Sequence, residues 1–270
     1  MDSRDPHKEI IWRNAMMKKT WSGVVVAMFI LSLPVSVMSQ DYASVFEKVR
    51  VQAVAGHAEA QQELGRMYVN GIGVTKDYVE AVNWYNRAAE QGLADAQFNL
   101  GSIYFRGEII SKDYVAASKW FSKAAVQGHA EAQYYLGMMS SDGLGIPKSH
   151  TEAFKWYSKA AEQDLAAAQY NLAVMYYNGD GVNQDYEKAA EWFTRASTLG
   201  LARAQYDLGR MYARGLGVPK DNIHAYKWLD VAAAQGVTRA RELRDNLEKE
   251  MTREDVSRAR FLSEEFRSTP

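Results

Sequence analysis

The chain has 270 residues, with 32 basic against 33 acidic side chains, five histidines and no cysteine. So even a balance leaves no basic stripe of the kind that nucleic acid requires. The missing cysteine excludes a disulfide framework, a Cys-anchored lipoprotein and thiol catalysis, and it fits an exported protein without stray thiols. Residues 1–15 are mixed in charge. Met16-Met17-Lys18-Lys19 then precede an apolar run, 24–33, followed by Pro34 and Val37-Met38-Ser39. A basic start, a short apolar core and small residues before a cut describe a secretory signal peptide over 1–39, cleaved after Ser39. The acids before Met16 sit badly in a basic start, which points to translation beginning at Met16 or Met17. A retained membrane helix is the alternative, and the apolar run is short for one. Cleavage leaves 27 basic and 30 acidic residues, a balance of −3. The expectation is a periplasmic or secreted protein without stable membrane insertion.

From residue 57 onward one 36-residue pattern repeats five times in register, at 57–92, 93–128, 129–164, 165–200 and 201–236. A fixed period of this size marks a repeat architecture. Ala60, Leu64, Met67 and Tyr68 recur at helical spacing. Asn70-Gly71, Arg106-Gly107, Asp142-Gly143, Asn178-Gly179 and Arg214-Gly215 end that helix, glycine accepting the left-handed turn. After a short loop, Asp77, Asp113, Ser149, Asp185 and Asp221 stand where an N-cap belongs. Asp77 with Glu80, and Ser149 with Glu152, resemble capping boxes. A second helix carries Trp84, Tyr85, Ala88 and Ala89 and their equivalents. It stops at Gly92, Gly128, Asp164, Gly200 and Gly236. Trp84, Trp120, Trp156, Trp192 and Trp228 share one position, and the reading puts all of them in the core. Truncating such a Trp costs about 3–5 kcal/mol. Each unit is a helix–turn–helix that cannot bury its faces alone, and stacking buries them. Residues 40–56 match a second helix without its partner, with Lys48 in place of Trp, and read as the N-terminal cap.

The motif A-x-A-Q-x-x-L-G-x-x-Y, then G-x-G-V, D-Y, W-Y/F-x-x-A-A and Q-G, resembles the Sel1-like repeat, a relative of the tetratricopeptide repeat. In copy one it runs through Ala58, Gly65, Tyr68, Gly71, Gly73, Val74, Asp77, Tyr78, Ala81, Trp84, Ala89, Gln91 and Gly92. The resemblance implies an all-α, right-handed α-solenoid with capping helices at both ends. It also implies a non-enzymatic adaptor or scaffold, of the kind that organises bacterial envelope assemblies. Ile109, Ser140 and Ala173 depart from the pattern, and the loop of copy three is expected to pack differently.

Residues 237–270 start a sixth first helix at Thr238 and then turn heavily charged. Thr252-Arg253-Glu254-Asp255 signals a last helix, with Thr252 as its N-cap. The pair reads as a C-terminal cap, and the alternative is that Phe261, Leu262 and Phe266 dock a partner. His57 and His129 occupy one repeat position and read as packing between copies, too far apart to share a metal. His150 and His224 read as solvated. No zinc spacing and no serine-hydrolase signature occurs, and no isolated acid suggests a glycosidase pair. The sequence therefore implies neither catalytic residue nor cofactor.

In tetratricopeptide relatives one face of the first helix lines the concave groove, and the resemblance implies the same here. Five positions, counted from 59, 62, 66, 69 and 70 of copy one, lie on that face. The candidate partner-binding residues are Arg66, Arg106, Tyr134, Met138, Tyr170, Val174, Tyr177, Arg210 and Arg214. They describe a groove for a protein or peptide segment, apolar in the middle with arginines towards the ends. The aromatic column at 62 reads mainly as packing between first helices. A peptidoglycan or polysaccharide binder, or a regulator of cell-wall enzymes, is the alternative function. A hydrolase stands behind both.

Overall fold

The computed structural model describes residues 35–108 and 110–268, all of them helical or in connecting turns, without a strand among the described residues. Thirteen helices follow in order: α1 (Val35–Val54), α2 (Ala58–Asn70), α3 (Tyr78–Glu90), α4 (Ala94–Arg106), α5 (Tyr114–Val126), α6 (Ala130–Asp142) and α7 (His150–Ala161). Then come α8 (Ala166–Asn178), α9 (Tyr186–Thr198), α10 (Ala202–Arg214), α11 (Asn222–Ala234), α12 (Thr238–Glu248) and α13 (Arg253–Ser268). The even-numbered helices α2 to α10 are the first, or A, helices of the five copies, and α3 to α11 are the B helices. Consecutive helices from α1 to α12 pack on one another, and α13 returns onto α11. The result is an α-solenoid. Residues 1–34, which hold most of the expected signal peptide, lie outside the described residues; α1 runs through the expected cut after Ser39.

The expected N-caps form. Asp77, Asp113, Ser149, Asp185 and Asp221 each accept a hydrogen bond from a first-turn amide of their B helix. The capping boxes do not close, because the cap's own amide is engaged elsewhere. It donates to the A-helix carbonyl nine residues earlier: Asp77 to Tyr68 at 3.2 Å, Asp113 to Tyr104 at 3.0 Å, Ser149 to Ser140 at 2.7 Å, Asp185 to Tyr176 at 2.9 Å and Asp221 to Tyr212 at 3.0 Å. One residue thus satisfies an orphan group on each helix of the pair. The bond is a backbone one, so Ser140 makes it as well as tyrosine does. The loop of copy three accordingly matches its neighbours, with Gly145 seated against the backbone of Tyr114 as Gly181 is against His150.

The tight approach of A to B helices comes from a glycine facing an inward ring. A Cβ on Gly137 would lie 2.6 Å from the ring of Tyr157, and one on Gly101 would lie 2.7 Å from Phe121. Copy four has Ala173 opposite Phe193, both buried, so there the extra methyl is accommodated. The residue after each Trp is therefore the inner one. Trp84 and Trp228 are buried at 8% and 5% exposure. Contrary to the sequence expectation, Trp120, Trp156 and Trp192 are only half-buried. Lys123, Lys159 and Arg195 lie over their rings, 4.2–4.5 Å from the centroids. Such cation–π contacts let a large ring sit at the boundary with water.

A buried glutamine recurs in every A helix: Gln61, Gln97, Gln133, Gln169 and Gln205. Each donates through Nε2 to a last-turn carbonyl of the preceding B helix, namely Ala53, Ala89, Ala125, Ala161 and Ser197, at 3.0–3.2 Å. In four copies the Oε1 accepts from a glutamine just past the end of the same copy's B helix: Gln91, Gln127, Gln163 and Gln235, at 2.7–2.8 Å. Copy four has Leu199 at that place, so the buried Gln169 Oε1 has no hydrogen-bond partner. Gln169 Nε2 also reaches Asp164 Oδ1 at 3.2 Å, and Asp164 is the described non-glycine residue with positive φ, at 59°.

The ends close as expected. Phe46 and Ala53 of α1 are buried against Leu64 and Met67, while Lys48 is exposed. At the other end Thr252 Oγ1 accepts from the Asp255 amide at 3.1 Å. Asp230 of α11, 13% exposed in its side chain, gathers Arg244 of α12 at 2.7 Å and Arg267 of α13 at 3.1 Å, while Ser263 donates to it at 2.8 Å. Phe266 sets its edge on Trp228 at 5.1 Å, so α13 covers the last Trp. Phe266 is thus spent inside the cap and Leu262 is half-buried, leaving Phe261 the exposed one of the three.

Two stability measurements follow. Leu199→Gln supplies the missing donor to Gln169 and removes an exposed apolar side chain, and should stabilise by about 1 kcal/mol. That amounts to a rise of about 2–4 °C in Tm for a chain of this size; no rise would show that Gln169 is satisfied in another way. Tyr157→Ala should cost about 3–5 kcal/mol, and Trp156→Ala clearly less, a ranking that urea melts would reverse were Trp156 the inner ring.

Candidate partner-binding face

The A-helix columns project from one side of the array, and their surroundings differ sharply between copies. In column 62, Tyr134 packs on Tyr157 at 5.8 Å and Tyr170 on Phe193 at 5.6 Å between centroids. Phe98 lies on Phe121 and also meets Tyr135 of the next A helix, at 5.9 Å. Packing is thus a large part of that column's work, within a copy and to the next one. In column 66, Met138 and Val174 are half-buried against the core, while Arg66 is exposed and paired with Glu63. In column 69, Tyr177 sets its edge on Tyr186 at 5.1 Å. In column 70, Arg106 and Arg214 are exposed and make no ion pair among the described residues.

The structure draws several of these into one cluster at copies four and five. The Tyr170 hydroxyl donates to Asp207 Oδ2 at 3.1 Å, and Arg210 pairs with Asp207 Oδ1 at 2.7 Å. Arg203 lies over the Tyr170 ring at 5.3 Å and Arg210 over Tyr206 at 5.4 Å. Burial, then the charge of Asp207, pushes the Tyr170 hydroxyl up to about 12. Burial opposes protonation of Arg210, but the hydrogen bond and charge of Asp207 outweigh it and hold the group above its ordinary value. Asp207 and Arg203 are absent from the candidates drawn from the sequence. The i, i+3 spacing of Asp207 and Arg210 was visible there, whereas the link to Tyr170, one repeat and one residue away, needs the packed array.

The histidines divide. His129 stacks on Phe98 at 4.5 Å and faces Asp95 of the preceding copy at 3.5 Å, as a residue between copies should. His57 is exposed, with Nδ1 3.0 Å from the Gln52 carbonyl, so it touches α1 by a polar contact and not by burial. His224 is half-exposed, 2.6 Å from Asp221, and stacks on Tyr212. Among the described residues no group of three or more His, Asp or Glu is placed to hold a metal ion. No described helix is long and apolar enough to cross a membrane.

An array of stacked A–B pairs closed by extra helices defines an α-solenoid of tandem repeats. The family model described as the Sel1 repeat matches residues 58–93, 94–129, 130–165, 166–201 and 202–237, one residue on from the copies counted at His57. The chain belongs to the Sel1 repeat family. A Sel1 repeat protein from Oxalobacter formigenes is 32% identical, with a TM-score of 0.70 over 82% of this chain and 92% of that one. A protective antigen of uropathogenic Escherichia coli with an SLR fold is 31% identical, with a TM-score of 0.57, covering 84% of this chain and 56% of the antigen. No curated protein matches the chain. Sel1 repeat proteins generally mediate protein–protein interaction.

The raised tyrosine predicts a pH dependence. The folded state keeps the Tyr170 proton that the unfolded chain releases near pH 10, so stability is full below about pH 10 and falls as pH rises towards 12. Urea melts across that range should show the fall, and Tyr170→Phe should make it shallower; an unchanged slope would mean Tyr170 does not contribute.

Proposed function

We propose that this protein is a non-enzymatic adaptor of the bacterial cell envelope that holds a peptide or protein segment along the A-helix face. The observation that supports the reading is the contrast between columns. The positions that lock the copies together keep one chemistry from copy to copy, and columns 66, 69 and 70 do not. Column 70 reads Asn70, Arg106, Asp142, Asn178 and Arg214, all exposed. Half-buried apolar side chains beside it, Met138, Val174 and Tyr177, give a partner a surface to desolvate, with exposed polar groups around them. Export rests on the composition of residues 16–39 and on the lack of cysteine. Glycan binding by the Trp row is the weaker reading, since a lysine or arginine already occupies the open face of each half-buried ring.

The test is affinity capture from envelope extract by the protein and by Arg106→Glu/Arg214→Glu. Both arginines are exposed and free of ion pairs among the described residues, so the variant should melt as the parent does. Envelope proteins retained by the parent and lost by the variant are the expected outcome. Equal retention would move the binding surface off this face.

A further inference from the structure

One edge of the array, which meets the partner-binding face at Arg203, carries a charge pattern of its own. B helices turn into the next A helix through three residues, such as Gln91-Gly92-Leu93, or four between α7 and α8, so B-helix ends and A-helix starts share an edge. The second residue of each A-type helix reads Glu59, Asp95, Glu131, Ala167, Arg203 and Arg239 along the array. All the charged members are exposed. Acids suit this position, because the positive end of the helix dipole lies there. Arg203 and Arg239 oppose that dipole, so their presence is not accounted for by helix stability. Arg203 has the Tyr170 ring beneath it, and neither arginine makes an ion pair among the described residues. His129 stands between Asp95 and Glu131, at 3.5 and 3.4 Å.

Reversed, the series meets an opposite charge at four of its six positions. A two-fold axis across the middle of the array sets Glu59 against Arg239, Asp95 against Arg203 and Glu131 against Ala167. The same edge exposes large apolar side chains at the B-helix ends: Val54 at 64%, Val126 at 75% and Leu199 at 51%. The same axis sets Val54 against Ala234, Val126 against Glu162 and Leu199 against Gln91, so the charge pairs carry the match that an isologous contact requires, where each patch meets its own copy turned around. We infer that a second copy of this chain docks on this edge, antiparallel, to form a dimer. The inference does not rest on the proposed adaptor face, and the two surfaces meet at Arg203, which lies over Tyr170.

Sedimentation velocity at neutral pH tests it. Lowering salt from about 0.5 M to about 0.02 M lengthens the screening distance and should bring the mass to that of a dimer and no further. Arg203→Glu/Arg239→Glu, which gives an all-acidic edge with acids favoured by each helix start, should fold normally and weaken self-association at least tenfold. Glu59→Arg/Asp95→Arg, which leaves Glu131 as the one acid of the series, should do the same. Mixing the two variants should restore a complex of two chains. A parent that stays monomeric at low salt overturns the inference. So does a dimer indifferent to charge reversal, or a pair of reversed variants that ignore each other.

Discussion

One side-chain amide per copy ties three helices together, and the rest of the array depends on it. Gln133, for example, gives its N–H to the end of the B helix before it and takes one from the glutamine that ends its own B helix. Both polar atoms are buried, so the amide is favourable only when each finds its partner; an unmet one costs more than a met one contributes. Apolar stacking alone would tolerate sliding of one pair over the next. The amide does not, because its partners sit at fixed points on two different copies. Packing supplies most of the stability and the glutamine supplies the register.

Close approach is the second constraint, and it too is set by small atoms. Where Gly137 meets Tyr157 the helices come as near as a ring on bare backbone allows. The same device joins one copy to the next, since Gly217 lies so close to the Tyr186 carbonyl that a Cβ there would be 2.0 Å from it. Large side chains consequently divide into those that face a glycine and those that do not. The Trp row belongs to the second group. Its rings cover the joints between B helices, and those of Trp120, Trp156 and Trp192 remain half open to water, which a stacked lysine or arginine makes tolerable.

Most of the architecture was legible in the chain because the features that define it are local. The 36-residue period, the Asp or Ser caps and the glycine stops all act within a few residues of where they stand. What escaped the sequence lies between residues about a copy apart. Gln61 reads as an ordinary polar residue until its partners Ala53 and Gln91 are brought to it. In Trp-Tyr or Trp-Phe the sequence does not say which ring turns inward, and the glycine opposite decides for the second. The candidate face was legible as a set of columns, yet the burial of Tyr177 and the pairing of Arg210 through Asp207 depend on neighbouring helices. Copy four shows the limit plainly. Leu199 and Ala173 look like minor drift, yet one leaves a buried oxygen without a partner and the other puts a methyl where the other copies have glycine.

The backbone bond from each B-helix cap to the A helix nine residues before it has a consequence for how such a chain can grow. All the described links between copies run to an immediate neighbour, and the loops that set them have one length. Gain or loss of a whole 36-residue unit would leave each surviving bond with a chemically equivalent partner, and α1, α12 and α13 would still seal the ends. Gain of a single residue inside a loop would detach a cap from its carbonyl and turn the next helix out of phase. The array is thus quantised: its reach is adjustable in steps of one copy, and each step shifts the exposed columns without remaking the scaffold that presents them.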